Sequence, residues 1–132
     1  MIYNQWYAVI DSKELKKNKP LKIKRFNEEM ALWRDEENSV CCISDKCCHR
    51  GASLSCGRVT GGRLQCPFHG FEFDKTGDVK TIPANGKNAV VPESMKVHGW
   101  KTFEGYGFIW VWWGDEGKAT SEPFFFRDLD NY

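Results

Sequence analysis

The cysteines of this chain are confined to one short segment, and their distribution constrains the fold more than any other feature. All six lie between Cys41 and Cys66, and two of the three histidines stand among them, in Cys47-Cys48-His49 and Cys66-Pro67-Phe68-His69. Six cysteines in a short chain indicate disulfides, a metal site or buried thiols. A disulfide framework belongs to exported domains and usually staples the termini as well. Because the N-terminus lacks the basic and long apolar regions of a secretory signal, we favour a metal site.

Length and charge limit the function classes that remain. The chain has 132 residues, which is about one domain. Its formal charge of +1 predicts no nucleic-acid or anionic-membrane partner, and its 41% hydrophobic residues exclude a disordered chain. No segment approaches the roughly 20 apolar residues of a membrane span. We therefore expect a single cytoplasmic domain.

The pattern of the remaining sequence predicts an all-β fold. Short apolar or alternating runs are separated by turn residues, as in antiparallel sheets. The predicted strands cover residues 6–10, 21–26, 30–34, 40–44, 63–65, 71–73, 79–82, 101–106 and 108–113. Residues 11–14 predict one helical turn, and residues 83–97 an irregular connection. The run FIWVWW at 108–113 is apolar on both faces, so this strand should be central or covered twice. We expect an antiparallel β-sandwich or incomplete barrel, with irregular loops inserted after residue 45.

The spacing of cysteine and histidine indicates the kind of metal centre. It reads as C-x-H, sixteen residues, then C-x-x-H. Two thiolates and two imidazoles suit zinc or an iron–sulfur cluster. Structural zinc sites usually begin with C-x₂₋₄-C, whereas here each loop supplies one cysteine and one histidine. That arrangement favours a two-iron cluster with two thiolates on one iron and two imidazoles on the other, and a structural zinc site remains the alternative.

The two loops, CCHRGASLSCG and CPFHGFEFDKTG, resemble the Rieske [2Fe–2S] motif in their ligands, glycines and spacing. The segments NQWYAV, ALWRD and GFIWVWWGD are also similar to the N-terminal Rieske domain of ring-hydroxylating non-haem iron oxygenase α subunits. The resemblance covers about residues 3–115. It implies that Cys47 and Cys66 hold one iron and that His49 and His69 hold the other.

The resemblance also carries expectations about the reduction potential. Respiratory Rieske proteins place serine and tyrosine hydroxyls where this chain has Phe71 and Phe73, and a disulfide where it has Ala52 and Phe68. Since phenylalanine donates no hydrogen bond to sulfur, we expect a potential toward the low end of the Rieske range, about −150 mV. The loops should be held by packing and by backbone hydrogen bonds alone.

The resemblance finally implies an electron relay. Residues 1–115 would form the Rieske domain, with cluster loops at about 45–74, and residues 116–132 a tail leading toward a catalytic domain. Electrons would come from a reductase or ferredoxin and pass to a mononuclear iron on a 2-His-1-carboxylate triad, with His69 facing that iron across a subunit boundary. With three histidines, two of them used, this chain has no such triad of its own. Complete α subunits of the family are commonly trimers, and a stand-alone Rieske ferredoxin is the second interpretation.

The residues left over receive structural interpretations. Cys41, Cys42, Cys48 and Cys56 have no assigned chemistry, and Cys48 should point away from the metal. His98 has no cysteine nearby and is expected at the surface. The tryptophans near the C-terminal end of the chain should belong to the core or to an interface.

Overall fold

The computed structural model describes residues 2–48, 51–82, 90–119 and Pro123. The described strands are β1 (Gln5–Asp11), β2 (Leu21–Arg25), β3 (Glu28–Arg34), β4 (Val40–Ser44), β5 (Arg58–Thr60), β6 (Arg63–Gln65), β7 (Glu72–Phe73), β8 (Val79–Thr81), β9 (Gly99–Trp100), β10 (Thr102–Gly105) and β11 (Phe108–Trp113). Short 3₁₀ turns cover Ser12–Glu14, Leu54–Cys56 and Glu116–Lys118. Among these residues no helix is long and apolar enough to cross a bilayer.

The strands form three antiparallel sheets. Their strand orders are β1-β11-β10, β2-β3-β4-β9 and β5-β6-β7-β8. The predicted all-β, mostly antiparallel fold is therefore confirmed. The doubly apolar strand β11 lies in the centre of its sheet, as its sequence predicts.

The second sheet is buried on both faces, and this divides the core in two. Along β3, Met30 and Leu32 face a cluster that includes Ile109 of β11, whereas Ala31 and Trp33 face the cluster beneath the third sheet. Because successive side chains of a strand point to opposite faces, one strand serves both clusters. This double burial explains why β3 and β4 read as continuous apolar runs rather than as an alternation.

A buried arginine ties the second sheet to the first. Arg34, at the end of β3, donates from both terminal nitrogens to the Glu104 carboxylate of β10, at 2.8 and 2.7 Å. Its Nε donates to the carbonyl of Leu15 at 2.9 Å. The hydrogen bond from Arg34 lowers the pKa of Glu104, burial opposes this shift, and the charge of Arg34 adds to the lowering. This bidentate pair fixes the two sheets against each other.

Most of the predicted elements are present with shifted ends. The helical turn at residues 11–14 is present as Ser12–Glu14, and the Asp11 side chain caps it by accepting from the N–H of Lys13 at 2.9 Å. Two short strands, β5 and β9, were not predicted. Of the predicted irregular connection, residues 83–89 lie outside the described residues, and 90–97 form no strand. Of the tail, Pro123 is buried, and the phenylalanines at 124–126 lie outside the described residues.

Candidate metal centre

The first candidate loop leaves the second sheet at the end of β4. Lys46 and Ser53 form an isolated antiparallel bridge at its base. Beyond this bridge the N–H of Cys47 donates to the carbonyl of Ala52, and the N–H of Gly51 donates to the carbonyl of Cys47, both at 2.8 Å. The loop is therefore a closed ring of backbone hydrogen bonds that begins at its cysteine.

The second loop repeats this pattern between β6 and β7. The N–H of Cys66 donates to the carbonyl of Phe71 at 2.8 Å, and the N–H of Gly70 donates to the carbonyl of Cys66 at 3.2 Å. In both loops the cysteine N–H reaches the carbonyl five residues later, and a glycine four residues after the cysteine donates back. Cys47 and Cys66 thus occupy equivalent positions in two separate loops.

The returning glycines have a conformational reason to be glycine. Gly51 has φ +69° and Gly70 has φ +72°, which is the left-handed region. A side chain there costs roughly 1–2 kcal/mol because Cβ approaches the following carbonyl oxygen. Glycine therefore lets each loop turn back on its cysteine without this steric cost.

The predicted cysteine ligands and the predicted histidine ligand differ in their exposure to solvent. Cys47 and Cys66 are 3% and 4% exposed and belong to the same core cluster, together with Leu54 of the first loop. His69 is exposed at the surface of the second loop, and His49 lies outside the described residues. Of the predicted ligands that the structure describes, the two cysteines are thus buried and the histidine is exposed.

The pKa of the Cys48 thiol, next to Cys47 in the first loop, is shifted by its surroundings. Desolvation raises the pKa of its thiol, and hydrogen bonds from its own backbone and with the Cys47 side chain oppose the rise. The charge of Cys66, on the other loop, raises the pKa further. Cys48 itself is exposed, whereas Cys47 is buried, and the expectation that its side chain points away from the metal stays a prediction.

Two residues that the sequence analysis did not single out shape the site. Asp45, at the base of the first loop, is fully buried. Its carboxylate accepts from the N–H and the hydroxyl of Ser55, at 2.6 and 2.9 Å, and lies 3.7 Å from Nζ of Lys22. Its carbonyl accepts from the N–H of Leu54 at 3.1 Å. These contacts join the two ends of the loop that carries Cys47.

Gly57 is the second of these residues. It ends the first loop, and a Cβ built on it would overlap the carbonyl oxygen of Gln65, the residue before Cys66. The absence of a side chain therefore allows the end of one loop to lie against the start of the other. The aspartate before the cysteine and the Cys-Gly pair are visible in the sequence, but their roles depend on contacts across the fold.

The remaining predicted positions agree with a site held without a disulfide. Phe71 and Phe73 are buried in the same core cluster as the two cysteines and carry no hydroxyl. Ala52 packs against that cluster, whereas Phe68 is 75% exposed. His98 lies elsewhere, with its ring centroid 4.5 Å from that of Trp100.

The chemistry of the predicted thiol and imidazole ligands matches the cluster that the sequence suggests. Within the described residues no three Cys, His, Asp or Glu side chains are grouped closely enough to hold a metal ion. Two buried thiols at equivalent loop positions, beside one exposed imidazole, nevertheless supply three of the four predicted ligands with the right chemistry. The residues present therefore fit a cluster with thiolate and imidazole ligands.

Comparison with known proteins identifies the family. The Rieske [2Fe-2S] domain family matches residues 5–106. Chlorophyllide a oxygenase of Chlamydomonas reinhardtii is 36% identical over 98% of this chain and 19% of its own length. Methylxanthine N1-demethylase NdmA of Pseudomonas putida is 35% identical over 91% of this chain and 35% of its own length.

A solved structure extends the likeness to the fold. Dicamba monooxygenase with non-haem iron and dicamba superimposes with a TM-score of 0.84 at 35% identity, over 95% of this chain and 38% of that one. The chain thus spans between about a fifth and two-fifths of the length of these relatives. The resemblance to the Rieske part of non-haem iron oxygenases is confirmed, and with it a Rieske-type [2Fe–2S] cluster as cofactor. This chain belongs to the Rieske [2Fe-2S] domain family.

Proposed function

We propose that this chain relays single electrons as the Rieske domain of a non-haem iron oxygenase, with Cys47, His49, Cys66 and His69 as the cluster ligands. The equivalence of the two loops carries the proposal. Cys47 and Cys66 share one hydrogen-bonding pattern and one core cluster, and His69 follows Cys66 on the same loop. A bound Rieske cluster supplies one-electron chemistry at potentials between about −150 and +300 mV.

The burial of the ligands gives the relay a direction. Cys47 and Cys66 lie in the core, so their sulfurs are shielded from water. His69 is exposed and is preceded by the exposed ring of Phe68. Electrons would therefore leave at the imidazole edge, where a partner can come into contact. In this proposal that partner is a mononuclear-iron oxygenase domain.

The low-potential expectation also rests on this arrangement. Phe71 and Phe73 surround the cysteines with apolar rings that donate no hydrogen bond. Hydrogen bonds to cluster sulfur stabilise the reduced state, so the lack of hydroxyl donors at these two positions would keep the potential low. A low potential suits a relay that accepts electrons from a reductase or ferredoxin and passes them on to a second iron.

The proposal is tested by analysis of iron, acid-labile sulfide and paramagnetic resonance on the reduced protein. We expect two irons, two sulfides and a Rieske-type signal. His69→Ala should lose or destabilise the cluster, whereas His98→Ala, a histidine packed on Trp100, should keep it. A colourless protein with one zinc and no sulfide would instead establish the structural zinc site.

The second candidate function is a stand-alone Rieske ferredoxin that serves a separate oxygenase. Reading the gene beyond Tyr132 separates the two candidates, because a downstream frame with a mononuclear-iron motif supports the oxygenase domain. In that case residues 1–115 form the Rieske domain and 116–132 the link to the catalytic domain. A trimeric assembly and a cytoplasmic location stay predictions.

A further inference from the structure

The overall charge of +1 conceals a strongly basic stretch of surface. Residues 13–25 carry seven basic side chains and one acidic side chain, a net charge of +6, so the rest of the chain carries −5. All seven basic residues are exposed. We call them the basic surface: Lys13, Lys16, Lys17, Lys19, Lys22, Lys24 and Arg25.

One end of the basic surface adjoins the base of the first cluster loop. β2 is the edge strand of the second sheet, and Ile23 is buried between the exposed Lys22 and Lys24. Nζ of Lys22 lies 3.7 Å from the carboxylate of Asp45, two residues before Cys47. Lys24 is paired in register with Glu29, whose carbonyl accepts from the N–H of Asp45 at 3.0 Å. A molecule bound along β2 would therefore lie beside this loop.

Most of the charge of this surface is not neutralised locally. Within the part of the chain that the structure describes, Lys22 is the member of the basic surface with a carboxylate within 4.0 Å, from Glu29 and Asp45. Arg25 donates to the backbone carbonyls of Lys24 and Val9. The other five ammonium groups face solvent and create a positive field that extends about one Debye length, ~10 Å at 0.1 M salt.

Protection of a sheet edge accounts for only part of this surface. Lysines on an edge strand discourage pairing with another chain, and this role explains the presence of Lys22 and Lys24. Lys16, Lys17 and Lys19 precede the strand and protect no edge. Their concentration calls for a second explanation.

The surroundings of these charges favour a protein partner. Residues 13–25 contain no aromatic side chain on which bases could stack, so a single-stranded nucleic acid lacks its usual platform. Of the apolar side chains in this stretch, Leu15 and Ile23 are buried and Leu21 is partly buried against the same core cluster, so the stretch offers no exposed apolar face to a lipid interface. A surface of exposed lysines without apolar anchors suits transient electrostatic docking, which steers diffusing partners of opposite charge.

We propose that the basic surface binds the acidic face of the protein that donates electrons to this chain, an acidic [2Fe–2S] ferredoxin in chemical class. The proposal rests on the electron-relay function above. In the transfer one electron leaves the docked ferredoxin, which is oxidised, and reduces this chain. No bond forms or breaks.

The test measures how fast a reduced, acidic plant-type ferredoxin reduces the cluster-loaded chain in stopped flow. The test variant replaces Lys16, Lys17 and Lys19 with glutamate. The control variant replaces three exposed lysines outside the basic surface with glutamate: Lys75, Lys96 and Lys118. Both variants therefore change the net charge by the same amount.

We expect the second-order rate constant of the test variant to fall at least tenfold at low ionic strength, and that of the control less than twofold. Electrostatic steering changes association rates by about 10–10³, and added salt should remove the difference. As a readout that needs no electron transfer, the Kd of the oxidised ferredoxin for the test variant should rise about tenfold.

Failure of docking and failure of the relay are distinguishable. A chain that forms no reducible cluster, judged by its paramagnetic signal after dithionite, refutes the function itself. If dithionite reduces every variant but both triple variants slow the ferredoxin equally, or neither does, the basic surface is not the docking site. Unchanged ferredoxin kinetics with lost binding to phosphatidylserine vesicles, or to an oligonucleotide, would overturn the proposal in favour of those ligands.

Discussion

Replacement of Asp45 should loosen the first cluster loop more than any other single change outside the ligands. The carboxylate is fully buried and accepts two hydrogen bonds from Ser55, at 2.6 and 2.9 Å. In Asp45→Ala both donors lose their acceptor, and each unsatisfied buried group costs about 1–3 kcal/mol. Together with the void left by the side chain, the loss of these two hydrogen bonds should cost about 3–5 kcal/mol.

A graded series separates the hydrogen bonds from the charge. Asp45→Asn keeps an oxygen that can accept from the N–H of Ser55, so its cost should be about 1–2 kcal/mol. Lys22 lies 3.7 Å from Asp45 with a side chain that is 46% exposed, so its ion pair is screened by water. Lys22→Gln should therefore cost less than about 1 kcal/mol.

The assay is thermal unfolding of the cluster-loaded chain, paired with the rate at which a chelator removes iron. For a domain of this size about 1 kcal/mol corresponds to roughly 4 °C in Tm. Asp45→Ala should lower Tm by about 12–20 °C and speed iron loss, with the asparagine variant between it and wild type. A Tm loss below about 4 °C for Asp45→Ala, or an equal loss for Lys22→Gln, would refute the role assigned to the Ser55 contacts.

Three further predictions concern the loops and the junction of the sheets. Phe73→Tyr adds a hydroxyl donor in the core cluster that holds Cys47 and Cys66. If its hydrogen bond is about 1 kcal/mol stronger to the reduced cluster than to the oxidised one, the reduction potential rises by about 40 mV, at 59 mV per tenfold change in the equilibrium constant. An unchanged potential in a redox titration would contradict this. Gly57→Ala should reduce cluster content measured as iron per chain, because its Cβ overlaps the Gln65 carbonyl, and full iron content would show that the loops need not approach so closely. The Arg34–Glu104 pair should stabilise the fold fully above the ordinary Glu pKa of 4.5 and lose its effect as pH falls through the lowered pKa of Glu104. The Tm difference between wild type and Glu104→Gln should thus shrink as the pH is lowered from 7 into the acid range, and a constant difference would refute the electrostatic role of the pair.

The sequence predicted most of the strands because their periods and turns are local. β11 could be assigned to a central position from its apolar run alone. The two-faced burial of β3 could not, because which cluster Met30 or Ala31 faces depends on a third sheet that follows later in the chain. Likewise β9 exists only through its pairing with β4, where Trp100 lies opposite Cys42.

The candidate ligands could also be predicted from the sequence, whereas the residues that support them could not. Cysteine and histidine have few reasons to recur at matched spacing, so a metal centre was the leading interpretation. Aspartate and glycine are common turn residues, and nothing in the local sequence separates Asp45 or Gly57 from the others. Their roles arise from contacts with Ser55, ten residues along the chain, and with Gln65.

The buried base of the first loop and the exposed turn of the second loop would serve different requirements of the proposed electron relay. At the base, Ser55 donates to the buried carboxylate of Asp45, and Cys47 lies in the core. On the second loop the chain turns at Gly70 so that His69 stays at the surface. Rigid, buried sulfur ligands limit reorganisation when the charge of the site changes, while an exposed imidazole shortens the path to a partner. Under the two proposals above, the donor would contact the base of the first loop, where the basic surface begins, and the acceptor would contact the second loop, which carries His69.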